Sequence, residues 1–139
     1  MSVNILVVDD EEDIRNMLNR HLSLLDYMVE TAANGKEAVE LLQRKRIDIV
    51  ITDLLMPEMN GIELLEFIHE DSPMIHTIAI TGYVTLDNAL SCMRLGADNI
   101  IFKPLEDLTE LEDSVKSVEG KMKIWQKKLR ELRGMKPSK

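Results

Sequence analysis

Five short apolar runs lie between residues 4 and 102, and amphipathic stretches fill the gaps between them. The runs are Asn4–Val8, Tyr27–Thr31, Ile47–Thr52, Ile75–Thr81 and Asn99–Phe102, four to seven residues long and rich in Ile and Val. At that length and composition they make better strands than helices. Three are nearly continuous in hydrophobicity, as expected of parallel strands covered on both faces. Between them Ile14, Met17, Leu18, Leu22 and Leu25 form one helical stripe, and Leu86, Ala89, Leu90 and Met93 form another. Asn34-Gly35 and Asn60-Gly61 stand where sharp turns must precede helices, and Gly96 is placed to close the fourth helix. The alternation predicts an α/β fold: a doubly wound five-stranded parallel sheet with helices on both faces.

Composition narrows the class further. With 139 residues, 45% hydrophobic and 30% charged, the chain reads as one soluble domain. Only two Tyr, two Phe and one Trp occur, so its core must be built from aliphatic residues and methionine, and the nine methionines are expected mostly on buried stripes. A lone Cys92 excludes a disulfide framework and fits a reducing cytoplasm, with the thiol as a small packing group. The opening apolar run is too short and too acidic at its end for a signal peptide, and no stretch approaches the roughly eighteen apolar residues of a membrane span. His21, His69 and His76 fall on different elements at no ligand spacing and read as surface or helix-end residues.

Charge divides the chain near residue 120. Residues 1–119 carry 9 basic and 24 acidic side chains, whereas residues 120–139 carry 8 basic and only Glu131 as an acid. An acidic body of that kind repels nucleic acid, so direct nucleic-acid binding is not expected. From Leu108 the apolar positions Leu108, Leu111, Val115, Val118, Met122, Trp125, Leu129 and Leu132 recur at alternating spacings of three and four, a heptad seam. Gly120 lies off that seam and weakens the helix by about 1 kcal/mol without breaking it. The expected organisation is therefore a domain over 1–119 and a basic helical extension over 120–139. Three uses of the extension stand open: a homodimer through the fifth helix, which is favoured, a basic amphipathic helix resting on the acidic body or on another protein, or a linker to a missing output domain, which Gly134, Pro137 and Ser138 suit. In a parallel dimer Lys128 would approach the partner's Arg133, and Trp125 is bulky for a two-stranded seam.

In an open parallel sheet, ligands bind outside the carboxyl ends of the strands. Asp9, Asp10, Glu11, Glu12 and Asp13 follow the first run, Asp53 follows the third, Thr81-Gly82 ends the fourth and Lys103-Pro104 follows the fifth. Converging carboxylates repel one another, and a hard divalent cation such as Mg²⁺ resolves the repulsion with oxygen ligands. A cation, a lysine and a hydroxyl beside such a cluster make a cradle for a phosphoryl group. Glu11, Glu12 and Asp13 read more simply as charges favoured at a helix N-terminus.

The segments Val7-Val8-Asp9-Asp10-Glu11, Asp53-Leu54-Leu55-Met56-Pro57-Glu58-Met59-Asn60-Gly61, Thr81-Gly82-Tyr83 and Lys103-Pro104-Leu105 together resemble the receiver domain of bacterial two-component response regulators, over about residues 3–119. The resemblance implies the flavodoxin-like strand order 2-1-3-4-5 and a cis Lys103–Pro104 bond. It also implies that Asp53 accepts a phosphoryl group from a sensor histidine kinase or phosphotransfer protein. Asp10, Asp53 and the carbonyl of Leu55 would ligate Mg²⁺, with Asp9 acting through a bound water. Lys103 would pair with the phosphoryl oxygens, and Thr81 would report their arrival to the face of the fourth helix, fifth strand and fifth helix. The sequence departs from the family pattern at Ile100, where an aromatic residue is usual, while Phe102 is expected on the face opposite Lys103. Tyr83 is either a cover over the site or a surface tyrosine on a loop. Leu55 would hinder attacking water and lengthen the life of the phosphoryl group.

Two other classes share parts of this pattern. An aspartyl-phosphate phosphatase or phosphotransferase acting on a small substrate with Mg²⁺ needs a second carboxylate two residues after its nucleophile, and Leu55 stands there. A receiver-like interaction module that takes no phosphate has no use for intact Asp9, Asp10, Asp53, Thr81 and Lys103.

Overall fold

The computed structural model describes residues 2–135, so the linker signals at Pro137 and Ser138 lie outside the described residues. Ten elements alternate along the chain: β1 (Asn4–Val8), α1 (Glu12–Leu24), β2 (Met28–Ala32), α2 (Gly35–Arg44), β3 (Ile49–Asp53), α3 (Gly61–Asp71), β4 (His76–Thr81), α4 (Leu86–Arg94), β5 (Asn99–Phe102) and α5 (Thr109–Gly134). The strands form one parallel sheet in the order β2-β1-β3-β4-β5. Strand β2 starts and ends one residue later than the apolar run predicts. Strand β3 begins at Ile49 and takes in Asp53, so the acid belongs to the strand rather than following it.

The period of two along each strand assigns its side chains to opposite layers. Ile5 and Val7, Ile49 and Ile51, and Ile78 and Ile80 pack under α1 and α5 against Leu18, Leu22, Leu111, Val115 and Val118. Leu6, Val8 and Val50 face the other way, against Ala38, Leu64 and Ile68 of α2 and α3. A smaller cluster of Leu54, Leu65, Ala79 and Cys92 lies beneath α4, with Ile100 packed against it. The turns follow the sequence closely. Asn34 and Asn60 cap α2 and α3 by accepting from the Glu37 and Glu63 N–H groups, and Gly96 takes the left-handed conformation (φ +79°) after α4.

Two expectations about burial are corrected. The stripe Leu86, Leu90 and Met93 does not face the sheet: these residues are exposed, and Cys92, about 100° round the helix from Met93, is the side chain that packs inward. A nine-residue helix over a small cluster needs little apolar area, so periodicity alone misplaces its buried face. The methionines also divide: Met56 is buried, but Met28, Met74, Met93 and Met135 are exposed. Helix α5 runs unbroken through Gly120 for 26 residues. Its seam is buried at Leu111, Val115 and Val118 and bare at Trp125, Leu129 and Leu132, beyond the edge of the domain.

Candidate functional site

Asp9 follows β1, Asp53 ends β3, Thr81 ends β4 and Lys103 follows β5. The register aligns Val8 with Thr52, Asp53 with Ile80 and Thr81 with Phe102, so these ends share one edge of the sheet. Parallel pairing thus gathers residues 9, 53, 81 and 103 into one place.

Asp9 is wholly buried. Its Oδ1 accepts the Glu11 N–H at 2.9 Å, and its backbone carbonyl accepts from the Arg15 guanidinium at 2.7 Å. Its Oδ2 accepts no well-directed hydrogen bond, although the Lys103 ammonium stands 3.0 Å away. Burial pushes the Asp9 carboxyl above its ordinary pKa, and the Glu11 N–H and Lys103 only partly oppose it. Asp53, 4% exposed, accepts the Leu55 N–H on Oδ1 at 3.2 Å and the Lys103 ammonium on Oδ2 at 3.0 Å. Lys103 also reaches Glu11 at 3.3 Å. Burial disfavours its ammonium, but the hydrogen bond to Asp53 and the close negative charges of Asp9 and Asp53 outweigh that effect and hold its pKa above the ordinary lysine value.

One carboxylate oxygen from each of Asp9, Asp10, Glu11 and Asp53 lies within 4.8 Å of the other three, with Asp10 and Glu11 exposed. Four acids against one lysine leave local negative charge unbalanced, and a buried Asp9 oxygen lacks a donor. Both features, and an all-oxygen donor set, fit a hard divalent cation.

Local structure holds Asp53 from behind. A side chain on Gly61 would place its Cβ 2.1 Å from the Asp53 carbonyl oxygen, so only glycine allows the α3 N-terminus to approach that strand end. The Gly61 N–H donates to the Leu54 carbonyl at 3.0 Å, and a reciprocal cap between Asn60 and Glu63 fixes the first turn of α3.

Thr81 is buried, and its hydroxyl donates to the Tyr83 carbonyl at 2.8 Å rather than to a carboxylate. Tyr83 and Leu55 expose 60% and 51% of their surface, Gly82 leaves ordinary contact distance to Lys103, and Phe102 points to solvent while Lys103 turns inward. Ile100 is half-buried against the cluster beneath α4, where it offers no hydroxyl to a partner. The Lys103–Pro104 bond is cis.

Sequence reasoning underrated Glu11 and missed Arg15. Glu11 stands at the N-cap of α1 but makes no side-chain cap; its carboxylate turns to Lys103 instead. Arg15, one turn further, reaches back to the Asp9 carbonyl. An arginine six residues after a strand-end acid, on the first turn of the next helix, was the available signal. Of the histidines, His21 meets Glu112 of α5 and His76 meets Asp98, so both serve contacts between elements. Among the described residues no helix is long and apolar enough to cross a membrane.

Comparison with known proteins is consistent with this geometry. Residues 5–116 match the family model of the response regulator receiver domain. The response regulator protein PilR of Pseudomonas aeruginosa is 37% identical over 110 residues, which are 79% of this chain and 24% of PilR. A CheY-like receiver domain from Methanospirillum hungatei superposes with a TM-score of 0.82 at 31% identity, covering 88% of this chain and 98% of that one. The response regulator TrrA of Thermotoga maritima, crystallised with Mg²⁺ and BeF, superposes with a TM-score of 0.76 at 34% identity over 84% of this chain and 98% of TrrA. The chain spans less than half the length of the curated relatives it matches first.

Proposed function

Since this chain belongs to the response regulator receiver family, whose members are regulatory phosphoacceptors of two-component signalling, we propose that Asp53 is its phosphoacceptor and that a histidine kinase or phosphotransfer protein is its donor. One observation carries the reading: a nearly buried Asp53 carboxylate is held 3.0 Å from Lys103 inside a cluster of three further acids.

A carboxylate is a weak nucleophile and must be aimed. The Leu55 N–H and Lys103 hold the two Asp53 oxygens. An Asp53 oxygen bonds to phosphorus as the phosphorus–nitrogen bond of the phosphohistidine breaks, and the leaving imidazole keeps the electron pair. Lys103, already 3.0 Å from that carboxylate, then pairs with the transferred oxygens. Asp10, Asp53 and the Leu55 carbonyl are the groups we assign to Mg²⁺, with Asp9 acting through water. When bound, that ion supplies positive charge to the phosphoryl oxygens. Asp9 keeps its backbone carbonyl on Arg15 and its carboxylate on the Glu11 N–H, which fixes the first loop.

Signalling requires that the phosphoryl group favour one of two arrangements. Thr81 is the group we assign to that choice. Its hydroxyl is committed to the Tyr83 carbonyl, and a phosphoryl oxygen is a stronger, charged acceptor. Transfer of the hydroxyl would release the Tyr83 segment, which leads directly into α4, and so change the face of α4, β5 and α5. With Ile100 in place of an aromatic, that change would travel through the loop rather than through a ring swinging inward.

The domain proper is taken as residues 1–119 and the extension as 120–139. A homodimer through α5 and its extension would draw on Trp125, Leu129 and Leu132, but the domain has already used the first half of the seam, and the bare half is strongly basic.

The test is incubation of the chain with acetyl phosphate and Mg²⁺, followed by intact mass. One added phosphoryl group is expected on the parent and none on Asp53→Ala. An unmodified parent, or an equally modified variant, overturns the reading.

A further inference from the structure

The face of α5 that packs on the sheet at Leu111, Val115 and Val118 continues through half-buried Met122 to Trp125, Leu129 and Leu132, which are exposed. There Met122, Trp125 and Leu129 form one wall of an apolar groove of about 320 Å³, and Ile47, Met74 and Ile75 form the other. The second wall lies at the N-terminal ends of β3 and β4, a strand's length from Asp53. Met74 is 84% exposed, Trp125 66% and Leu129 52%, so large apolar side chains on both walls stand in water side by side. A contiguous patch of this kind marks a binding surface more often than scattered exposure does.

Charge says what fits it. At 100° per residue, Arg130 and Arg133 fall on one side of the Trp125–Leu129–Leu132 stripe, and Lys121 and Lys128 on the other. Lys121 is engaged by Asp98 at 3.4 Å, but Arg130 and Arg133 make no ion pair among the described residues, and Lys128 meets Glu131 only at 4.0 Å, in the open. Arg46 adds a cation on the opposite wall, 65% exposed and paired at 3.5 Å with Asp48, the one acid among the described residues that lines the groove. We propose that this groove docks an acidic amphipathic helix of a partner protein, its apolar face between Met74 and Trp125 and its carboxylates on the flanking arginines and lysines. A second copy of the chain would set one basic extension against another. An anionic bilayer would face an acidic body and a concave site. The inference does not depend on phosphoryl transfer.

Trp125 is the only tryptophan, so its emission reports on this groove alone. The probe is a synthetic helix with leucines at i, i+3, i+4 and i+7 flanked by glutamates; its controls carry lysines instead, or are phosphatidylglycerol vesicles. The acidic peptide is expected to shift Trp125 emission to the blue saturably, with affinity falling as salt rises. Met74→Glu, on the wall away from the helix, and Arg130→Glu with Arg133→Glu should each weaken it roughly tenfold or more while circular dichroism stays unchanged. The proposal is overturned if the lysine peptide does as well, if Met74→Glu binds normally, if vesicles alone give the shift, or if it arises from protein concentration without peptide. Asp53→Ala should bind like the parent, which separates this outcome from that of the phosphoacceptor assignment.

Discussion

Lys103 Nζ stands 3.0 Å from Asp53 Oδ2 across two strands that do not touch, since β4 lies between β3 and β5 in the sheet. The same ammonium lies 3.0 Å from Asp9, so one cation serves two buried acids. Truncating it leaves both without compensation. Lys103→Ala is therefore expected to lose about 3 kcal/mol of stability in metal-free buffer, measured by urea unfolding. Asp9→Asn in that background should recover part of the loss, because burial already disfavours the Asp9 charge. If Lys103→Ala is as stable as the parent, the ion pairs do not hold this edge together.

Gly61→Ala would force a methyl group to within 2.1 Å of the Asp53 carbonyl oxygen unless the backbone moves. A loss of about 3 kcal/mol or more is expected from such overpacking, together with slower labelling by acetyl phosphate as Asp53 shifts. Gly120→Ala, with nothing near the added carbon, should instead stabilise α5 by up to about 1 kcal/mol. Thermal melts of the two variants test the contrast.

Thr81→Ala removes the hydroxyl bonded to Tyr83 and leaves the carboxylate cluster untouched. Phosphoryl uptake should persist, while any spectroscopic change in α4 on phosphorylation disappears. Leu55, whose N–H holds Asp53, and Tyr83, whose backbone meets Thr81, both carry exposed side chains, and these are expected to slow attack by water. The double variant Leu55→Ala, Tyr83→Ala is expected to lose its label several-fold faster. An unchanged lifetime would mean these side chains do not shield the phosphoryl group.

Asp98 ties three elements together, reaching His76 at 3.1 Å and Lys121 of α5 at 3.4 Å. Burial works to raise its pKa, but the His76 hydrogen bond and charge, with Lys121, outweigh it and hold the carboxyl below its ordinary value of 3.8. A group depressed in the folded state contributes stability above its unfolded pKa and loses it as the pH falls through the folded one. Asp98→Asn should therefore cost about 1 kcal/mol at neutral pH. The parent and the variant should converge in acid below the ordinary carboxylate value. Melting curves across that range check the sign.

Much of this layout was legible in the sequence because it rests on short-range rules. Runs of Ile and Val became strands, Asn-Gly pairs became capped turns, and acids at strand ends met because parallel pairing leaves them no other place. What escaped depended on tertiary contact. Glu11 has the helix-start position of a capping charge, and only the arrival of Lys103 from 92 residues away recruits it to the site. The α4 stripe has good helical spacing, yet the buried face is chosen by the small cluster around Ala79 and Leu65, into which Cys92 fits. Met74 follows Pro73 in an apolar context that reads as core, and only the placement of α5 shows it bare.

The unbroken passage of α5 through Gly120 makes that helix a lever. Its 26 residues span about 39 Å, and the part beyond Met122 projects about 18 Å from its seat. A tilt of only about 10° at Leu111 and Val115 would swing the tip, about 28 Å away, by about 5 Å, so a modest repacking beside β5 becomes a large displacement at the far end.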